Sequence, residues 1–395
     1  MRANDFIKEE TIPQSKFKHL LTPGVLTLKD AMENAGKEVR IVGGAVRDLV
    51  LGKNPKDIDM ATDATPEEMM AIFDSAGISH IPTGIEHGTI TAVLDGEPIE
   101  ITTLRVDTNQ DGRHADVEFT TDWKTDAERR DLTYNAMSLD LDGNLYDYFG
   151  GVADLKKGDS KFVGNADQRI KEDYLRILRY YRFRARMPYQ GESVETFRAI
   201  SDNVEGLKEI SGERIWMEFS KILTSEFAAR ELDAMYQSGV MRNIGLPDNH
   251  MMMGNFEKIS KITKDVPVLL AEIANNEVTL NKLRARWKFS NAVYDATMFV
   301  LQNRARTATE LRRLISRPKV DRDNVVRVAL FRANRRLASD LRHTKIPEFP
   351  VRAQDLLDAG MKPGPEVGKA MQMMRAAWEK SGFKLTAEEL INNIS

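Results

Sequence analysis

The sequence predicts an α+β protein in which an N-terminal unit of mixed strands and helices precedes a long, wholly helical region. Two observations support this fold class. Over the first part of the 395-residue chain, short apolar runs alternate with turns of Gly, Asp and Asn, which is typical of strands. Beyond Gly164, apolar residues recur with the helical period and strand signals nearly vanish. A chain of this length has room for about two to four domains.

The elements follow from local patterns. In the N-terminal unit, Thr65 is expected to cap a helix that runs to Ala76, with Pro66 in its first turn. The predicted strands are Val39–Val42, Gly88–Leu94, Ile99–Arg105, Ala136–Leu141 and Leu145–Tyr148. The predicted helices beyond Gly164 include Gln168–Arg186, Val194–Val204, Gly212–Leu223 and Phe227–Met241.

The composition excludes several kinds of chemistry. The chain has no cysteine, which rules out disulfides, thiolate zinc sites and a cysteine nucleophile. Its six histidines show no metal-binding pair on one helix, so any metal site must depend on carboxylates, which favours a hard ion such as Mg²⁺. No apolar run is long enough to span a membrane, and no secretory or transit segment is visible. A cytoplasmic location is therefore expected.

The formal net charge of −3 hides an uneven distribution. Residues 282–345 contain 17 Lys and Arg but only 5 Asp and Glu, so the remainder of the chain is strongly acidic. Such a basic region favours a polyanionic partner, although solvated helix faces would give the same bias. This region contains the arginines Arg304, Arg306, Arg312, Arg313, Arg317, Arg335 and Arg336.

Two neighbouring motifs in the N-terminal unit predict a phosphate site beside a metal site. Gly43 and Gly44 follow an apolar strand, so the backbone there can approach a bound phosphate, with Arg47 as a forked cation. Ten residues after Arg47, Asp57 and Asp59 occupy alternate positions of an extended segment, about 7 Å apart on one face. Two such carboxylates repel each other unless a cation lies between them. Either motif alone would more often be an ordinary turn.

Further candidates follow along the chain. Glu100 lies in a predicted strand and is either a third metal-facing carboxylate or an exposed edge residue. The polar segment Asp107–Asp116 is expected to be a mobile loop. After it, Arg129, Arg130 and Asp131 offer cations for phosphate and an acceptor for a sugar hydroxyl; a surface ion-pair cluster is the alternative.

Taken together, these motifs resemble those of class II nucleotidyltransferases, in the same order along the chain. The chain resembles the tRNA nucleotidyltransferase (CCA-adding) family from about residue 20 to the C-terminus. It is especially similar to the eukaryotic mitochondrial-type branch through Glu100–Leu132 and Arg169–Leu223. The segments that carry the resemblance are Gly43–Asp48, Asp57–Asp59, Arg129–Thr133, Asp147–Leu155, Glu172–Arg176 and Glu213–Glu218.

The resemblance implies a polymerase-β-like head over residues 1–160 and an all-α neck, body and tail over 161–240, 241–345 and 346–395. It implies a reaction that adds CCA to tRNA 3′ ends from CTP and ATP, with two Mg²⁺ ions. The partners it implies are the 3′ end and the acceptor/TψC arm of tRNA, bound by body and tail, with the protein a monomer or a homodimer.

The resemblance also implies roles for single residues. Asp57 and Asp59 would bind the metal ions, with Glu100 as the third catalytic carboxylate. It implies that the nucleotide is bound by Gly44, Arg47, Arg130, Asp173, Arg176, Arg179 and Arg182. The motifs above add Gly43 and Asp131 as nucleotide-binding candidates.

Asp173 and Arg176 suggest how a nucleotide base could be selected without a template. Three residues apart on a predicted helix, they would be surface neighbours. Cytosine and adenine both present an amino donor beside a ring-nitrogen acceptor, which match a carboxylate and a guanidinium. Uracil and guanine present the opposite order and would leave both side chains mismatched. A helical ion pair in a charged neck is the alternative interpretation of the same spacing.

Several other functions remain open at this stage. The enzymatic alternatives are a CC-adding enzyme, an A-adding enzyme and a bacterial poly(A) polymerase. Segment 107–116 argues against the first, and Gly84–Thr89 has the form seen in CCA-adding relatives rather than in poly(A) polymerases. A non-catalytic tRNA-binding protein is disfavoured because Asp57, Asp59 and Glu100 are all present.

Overall fold

The computed structural model describes residues 8–55, 58–108, 116–188, 191, 193–247, 253–317 and 319–392. The chain divides into two compact units, Met1–Ile244 and Gly245–Ser395. The first contains the strands and the helices up to Asn243, and the second is helical throughout its described part. The predicted α+β class is therefore confirmed, whereas the division into four domains stays a prediction.

The elements of the first unit are strands and mostly short helices. The strands are β1 Lys8–Thr11, β2 Val39–Val42, β3 Asp59–Thr62, β4 Ser79–Gly84, β5 Thr89–Leu94, β6 Glu97–Thr103, β7 Arg105–Thr108, β8 Asp116–Phe119, β9 Ser138–Asp140 and β10 Asn144–Tyr146. The α-helices are α1 Pro23–Asn34, α2 Gly44–Val50, α3 Pro66–Ala76, α4 Trp123–Glu128, α5 Gly151–Lys157, α6 Ala166–Glu172, α7 Leu175–Arg184, α8 Val194–Asn203, α9 Gly212–Leu223, α10 Ala228–Gln237 and α11 Val240–Asn243.

The described part of the second unit is a stack of helices. These are α12 Met253–Ser260, α13 Val266–Ala274, α14 Glu277–Trp287, α15 Asn291–Asn303, α16 Ala308–Ile315, α17 Arg322–Phe331, α18 Arg335–His343, α19 Ala353–Asp358, α20 Pro365–Lys380 and α21 Ala387–Asn392. None of the helices in the described ranges is long and apolar enough to cross a membrane.

Within the described residues, eight strands form one sheet in the order β1-β10-β9-β2-β3-β6-β5-β4. The pair β3 and β6 is parallel, and the other neighbours are antiparallel. Helix α3 begins with a capping box, in which the Thr65 hydroxyl accepts from the Glu68 amide and the Glu68 carboxylate accepts from the Thr65 amide. Its buried Met69 and Phe73 are part of the core. Helix α3 also packs against α1 and the β4–β5 pair.

Two predicted elements are divided in the structure. The expected strand Ile99–Arg105 ends at Thr103, and Arg105 starts β7, which pairs with β8 in a separate two-stranded sheet. The ends of the predicted loop 107–116 therefore belong to strands, while residues 109–115 lie outside the described residues. The expected helix Phe227–Met241 is interrupted at Gly239, whose φ of +80° is a left-handed conformation that favours glycine.

Candidate nucleotide-binding site

Strand β2 ends in the glycine turn, and the structure shows why glycine is needed there. Gly43 has φ +67° and ψ −122°, a conformation that side-chain-bearing residues rarely adopt. A Cβ atom on Gly43 would lie 3.1 Å from Nη1 of Arg130. The glycine therefore permits both the turn and the close approach of a cation from another segment.

Arg47, one turn into α2, is held in place by its neighbours. Its Nη1 donates to Oδ1 of Asn135 at 2.9 Å, and its Nε and Nη2 donate to Oδ1 of Asp48 at 3.0 and 2.8 Å. Its guanidinium carbon also lies 5.1 Å from the ring centre of Phe183. Arg47 is thus pre-oriented by a carboxylate, an amide and a ring.

The carboxylates Asp59 and Glu100 are brought together by the parallel pairing of β3 and β6. The two residues are register partners, and both are exposed at the start of the paired segment. Asp57, the other predicted metal ligand, lies outside the described residues. Among the residues that are described, no group of three acidic or histidine side chains is arranged around one ion. The sheet register thus selects Glu100 as the neighbour of Asp59.

The segment 126–131 combines a buried carboxylate with two cations. Asp126 accepts from Nε of Arg129 at 2.8 Å and from Nη2 of Arg130 at 3.2 Å. Burial would raise the pKa of the Asp126 carboxyl, but the charges of Arg130 and Arg129 outweigh it and hold that pKa below its usual value. Asp126 therefore stays ionised and anchors both arginines.

Asp131 is buried and already has three donors. Its carboxylate accepts from the Leu132 amide at 2.8 Å, from Nδ2 of Asn135 at 3.0 Å and from Nε of Arg179 at 2.6 Å. Burial opposes ionisation here too, but the Arg179 charge and these hydrogen bonds lower the pKa of Asp131. In this state the residue expected to accept from a sugar hydroxyl holds Arg179 and Asn135 instead.

The predicted helix Gln168–Arg186 is wrong as a single element, since it breaks at Asp173. The backbone there is extended, with φ −156° and ψ 106°, between α6 and α7. Oδ1 of Asp173 accepts from the Leu175 amide at 3.1 Å, the kind of local side-chain bond that makes Asp favour helix starts over helix interiors. Asp173 therefore lies at the head of α7 and not on the side of a continuous helix.

Asp173 and Arg176 also differ from a helical ion pair in their partners. Oδ2 of Asp173 accepts from Nη2 of Arg214 at 2.8 Å. The buried Arg176 donates from Nη1 to Glu172 at 2.7 Å and from Nη2 to the Arg129 carbonyl at 3.1 Å. Two separate networks thus hold the two side chains.

The remaining predicted residue of α7, Arg182, pairs with an acid from α9. Its Nε lies 2.9 Å from Oε2 of Glu218, which is almost fully buried. Beside it, the Phe183 ring has three guanidinium carbons within reach, at 4.3 Å for Arg182, 5.1 Å for Arg47 and 5.9 Å for Arg179. Sequence reasoning missed Phe183, although an aromatic residue within an arginine-rich helix was a usable signal.

Most of these groups line one cavity of about 1310 Å³ within the first unit. Asp59 lines this cavity and also a second one of about 630 Å³, which Glu100 lines. The predicted residues that line the larger cavity are Gly43, Gly44, Arg47, Asp59, Arg130, Asp131, Asp173, Arg176, Arg179 and Arg182. The lining residues that the sequence analysis did not assign to the nucleotide include Arg105, Phe183, Arg186, Arg214 and Lys221.

Comparison with known proteins gives a consistent result. Residues 39–160 match the family model described as "Poly A polymerase head domain". The mitochondrial CCA tRNA nucleotidyltransferase 1 of Mus musculus is 42% identical over 96% of this chain and 91% of its own length. The chain belongs to the CCA tRNA nucleotidyltransferase family. The Homo sapiens member is 41% identical with the same coverage.

A solved CCA-adding enzyme supports both the family and the fold. The Bacillus stearothermophilus CCA-adding enzyme, determined in complex with CTP, has a TM-score of 0.73 and 27% identity. The match covers 92% of this chain and 94% of that one. The CCA tRNA nucleotidyltransferase fold therefore extends through the helical region, where the motifs of this sequence are weakest.

The comparison also corrects one expectation. A cytoplasmic location was expected because no leader segment is visible, but the mouse and human CCA tRNA nucleotidyltransferases are both named as mitochondrial. The expectation is therefore wrong.

In the second unit, many arginines of the basic region have structural partners. Three donate to carbonyls at or beside helix ends: Arg304 to Asn275 at 2.7 Å, Arg335 to Lys261 at 2.8 Å and Arg313 to Lys380 at 3.5 Å. Cations at these positions donate to carbonyls that have no partner within the helix, and they interact favourably with the negative end of the helix dipole. Arg306 donates to Asn303, and Arg312 and Arg317 pair with Asp340 and Glu379. Part of the positive charge thus stabilises the helical stack, and its contact with tRNA stays a prediction.

Proposed function

We propose that this chain adds C, C and A to tRNA 3′ ends from CTP and ATP without a nucleic acid template. The observation that carries the proposal is a single cavity that contains the glycine turn, a metal-type carboxylate and the pair Asp173 and Arg176. The family relationship, over almost the whole chain, supplies the reaction class.

The bond changes define what the site must do. The 3′ hydroxyl oxygen of tRNA bonds to the α-phosphorus of the nucleotide, the bond from that phosphorus to the bridging oxygen of the β-phosphate breaks, and pyrophosphate leaves. The hydroxyl proton is lost to solvent or a nearby base. Negative charge therefore gathers on the phosphate oxygens, where cations on the cavity wall stabilise it.

The carboxylates fit a hard divalent cation. Asp59 and Glu100 are adjacent, exposed and oxygen-bearing, which is the ligand chemistry that Mg²⁺ prefers. We assign Asp57 and Asp59 as its ligands, with Glu100 as the third catalytic carboxylate. A Mg²⁺ ion held there would lower the pKa of the attacking hydroxyl and offset the charge of the leaving group.

The phosphates are bound by the glycine turn and its cations. The absence of side chains at Gly43 and Gly44 lets the nucleotide approach the backbone closely. Arg47 and Arg130 present guanidinium groups that Asp48 and Asp126 already orient, so little side-chain entropy is lost on binding. Asp131 acts through Arg179, whose guanidinium it fixes at the cavity wall.

Asp173 and Arg176 retain hydrogen-bonding capacity for a base. A carboxylate has about four acceptor positions and a guanidinium has five N–H donors. Within the described residues, Asp173 accepts from Leu175 and Arg214, and Arg176 donates to Glu172, Arg169 and Arg129. Asp173 can therefore still accept from the amino group of C or A, and Arg176 can still donate to the ring nitrogen.

Incorporation of labelled nucleotide into tRNA that lacks its 3′-terminal CCA tests the proposal. CTP alone should add two residues, and CTP with ATP should add three and then stop. A long run of A from ATP alone would instead indicate a poly(A) polymerase, and addition limited to C or to A would indicate a specialised relative. The Asp57→Ala and Asp59→Asn proteins should fold but transfer nothing. Normal transfer by either would refute the metal-site assignment.

A further inference from the structure

Helices α7 and α9 pack together. Two ion pairs link them: one involves a residue just before α7, and the other involves a residue on the side of α7. In the first pair, Asp173 accepts from Arg214 at 2.8 Å. In the second, Arg182 of α7 lies 2.9 Å from Glu218 of α9. Each pair therefore combines a cation from one segment with an acid from the other.

One turn further along, this alternation stops. Arg186 lies in the turn that follows α7, four residues after Arg182, and Lys221 lies three residues after Glu218 on the same face of α9. Both side chains are exposed, both line the cavity, and neither has a hydrogen-bond or ion-pair partner within the part of the chain that the structure describes. The third position thus presents two positive charges.

The charge of Arg186 also acts on Arg182 of the second pair. Burial, together with the charges of Arg179 and Arg186, lowers the pKa of Arg182, although Glu218 opposes the shift. The cavity as a whole is lined by eleven Lys and Arg side chains and four Asp. Many of the other cations are already held by carboxylates, as Arg47 is by Asp48. Like charges without acids at a cavity wall are stabilised when an anion binds between them.

We propose that Arg186 and Lys221 form a phosphate-binding subsite at the end of α7. A forked guanidinium and an ammonium together suit the several acceptor oxygens of a phosphate. The subsite shares one cavity with the cations of the proposed phosphate site, because Arg47 and Arg130 line the same cavity as Arg186 and Lys221.

The source of the phosphate rests on the proposed function. In that reaction the phosphate is either the terminal phosphate of the nucleotide, which leaves as pyrophosphate, or a phosphodiester of the tRNA acceptor end. Both present the same chemistry to the two side chains. Removal of the two charges would weaken nucleotide binding in the first case and tRNA binding in the second.

The test is the double variant Arg186→Gln and Lys221→Gln, which keeps side-chain polarity but removes both charges. A matched control carries Arg198→Gln and Lys208→Gln, exposed residues of the same unit that do not line the cavity. Calorimetry measures the Kd of CTP and of inorganic pyrophosphate without RNA, and filter binding measures the Kd of tRNA without nucleotide over a salt series. Neither measurement requires turnover.

We expect a roughly 5-fold or greater rise in one of these Kd values for the double variant and little change for the control. A rise for CTP and pyrophosphate assigns the subsite to the nucleotide. A rise for tRNA, with the slope of log Kd against log salt reduced by about 1 to 2, assigns it to RNA. Unchanged Kd values in both arms, at an unchanged melting temperature, would overturn the inference. Failure of the unmodified protein to extend tRNA would overturn the proposed function alone.

Discussion

Replacement of Gly43 by alanine tests whether the glycine turn acts by admitting Arg130 to the phosphate site. At Gly43 the added methyl group meets two obstacles: a positive φ of +67° and Nη1 of Arg130 at 3.1 Å. Gly52 provides a control at the other end of helix α2, which Gly43 precedes. Gly52 also has a positive φ, +70°, but an added Cβ there would have no atom within 4 Å. Both variants place alanine at a positive φ, and only Gly43→Ala adds a contact with Arg130.

The expected magnitudes follow from these contacts. A non-glycine residue in such a conformation costs about 1–3 kcal/mol, so both variants should melt several degrees lower. Only Gly43→Ala should displace Arg130, and loss of one charge-assisted hydrogen bond to phosphate costs about 1.5–3 kcal/mol, or roughly 10- to 100-fold in kcat/KM for CTP.

Steady-state incorporation of CTP into tRNA that lacks CCA, together with thermal unfolding, measures both effects. At a temperature well below both melting points, Gly52→Ala should transfer at nearly the rate of the unmodified protein. Equal kcat/KM values for the two variants would show that the contact between Gly43 and Arg130 has no part in catalysis, and the role assigned here to the turn would be wrong.

Three further predictions concern the surroundings of the cavity. Asp173→Asn should shift selectivity towards UTP by about 10-fold, since an amide can donate where the carboxylate only accepts; an unchanged ratio of UTP to CTP incorporation would exclude base reading by Asp173. Asp126→Asn should destabilise the protein by about 3 kcal/mol near neutral pH, because it leaves two partly buried cations without their buried acid. Because the pKa of Asp126 is lowered in the folded protein, its ionised form stabilises the fold above the pKa of the unfolded state, and this contribution is lost as pH falls through the folded pKa. In urea titrations, the unfolding free energies of the unmodified protein and the variant should therefore converge at acid pH. Gly206→Ala would place a Cβ 2.2 Å from the ring of Tyr174, the residue after Asp173, and should therefore displace Asp173. CTP transfer should fall by more than the loss of thermal stability explains. A normal kcat/KM for CTP would show that Tyr174 does not set the position of Asp173.

The elements that the sequence predicted well have signals that are local. Thr65, Pro66 and Glu68 specify the start of α3 through side-chain bonds within one turn, and α9 follows the predicted bounds Gly212–Leu223. The break at Asp173 was missed because helical periodicity continues on both sides of it. A single residue that bonds to its own downstream backbone overrides that periodicity.

The partners of charged residues were harder to predict. Asp173 and Arg176 are close in sequence, but their carboxylate and guanidinium are held by Arg214 and Glu172. Arg179 pairs with Asp131, 48 residues earlier in the chain. Sequence spacing can suggest such pairs only inside one helix, whereas here the nearest opposite charge often comes from another element.

By itself, the sequence determined the fold class, the reaction class and the residue types in the cavity, because motif order, hydrophobic period and turn chemistry are properties of short segments. Only the tertiary structure decided which groups meet. It placed Glu100 beside Asp59 through a parallel strand pair and placed Phe183 between three arginines. Among the residues that the structure describes, it gave Arg186 and Lys221 no acidic partner, although both line the same cavity. These juxtapositions depend on strand register and helix packing between residues far apart in the chain, and the free energy that sets them is the burial of the whole core.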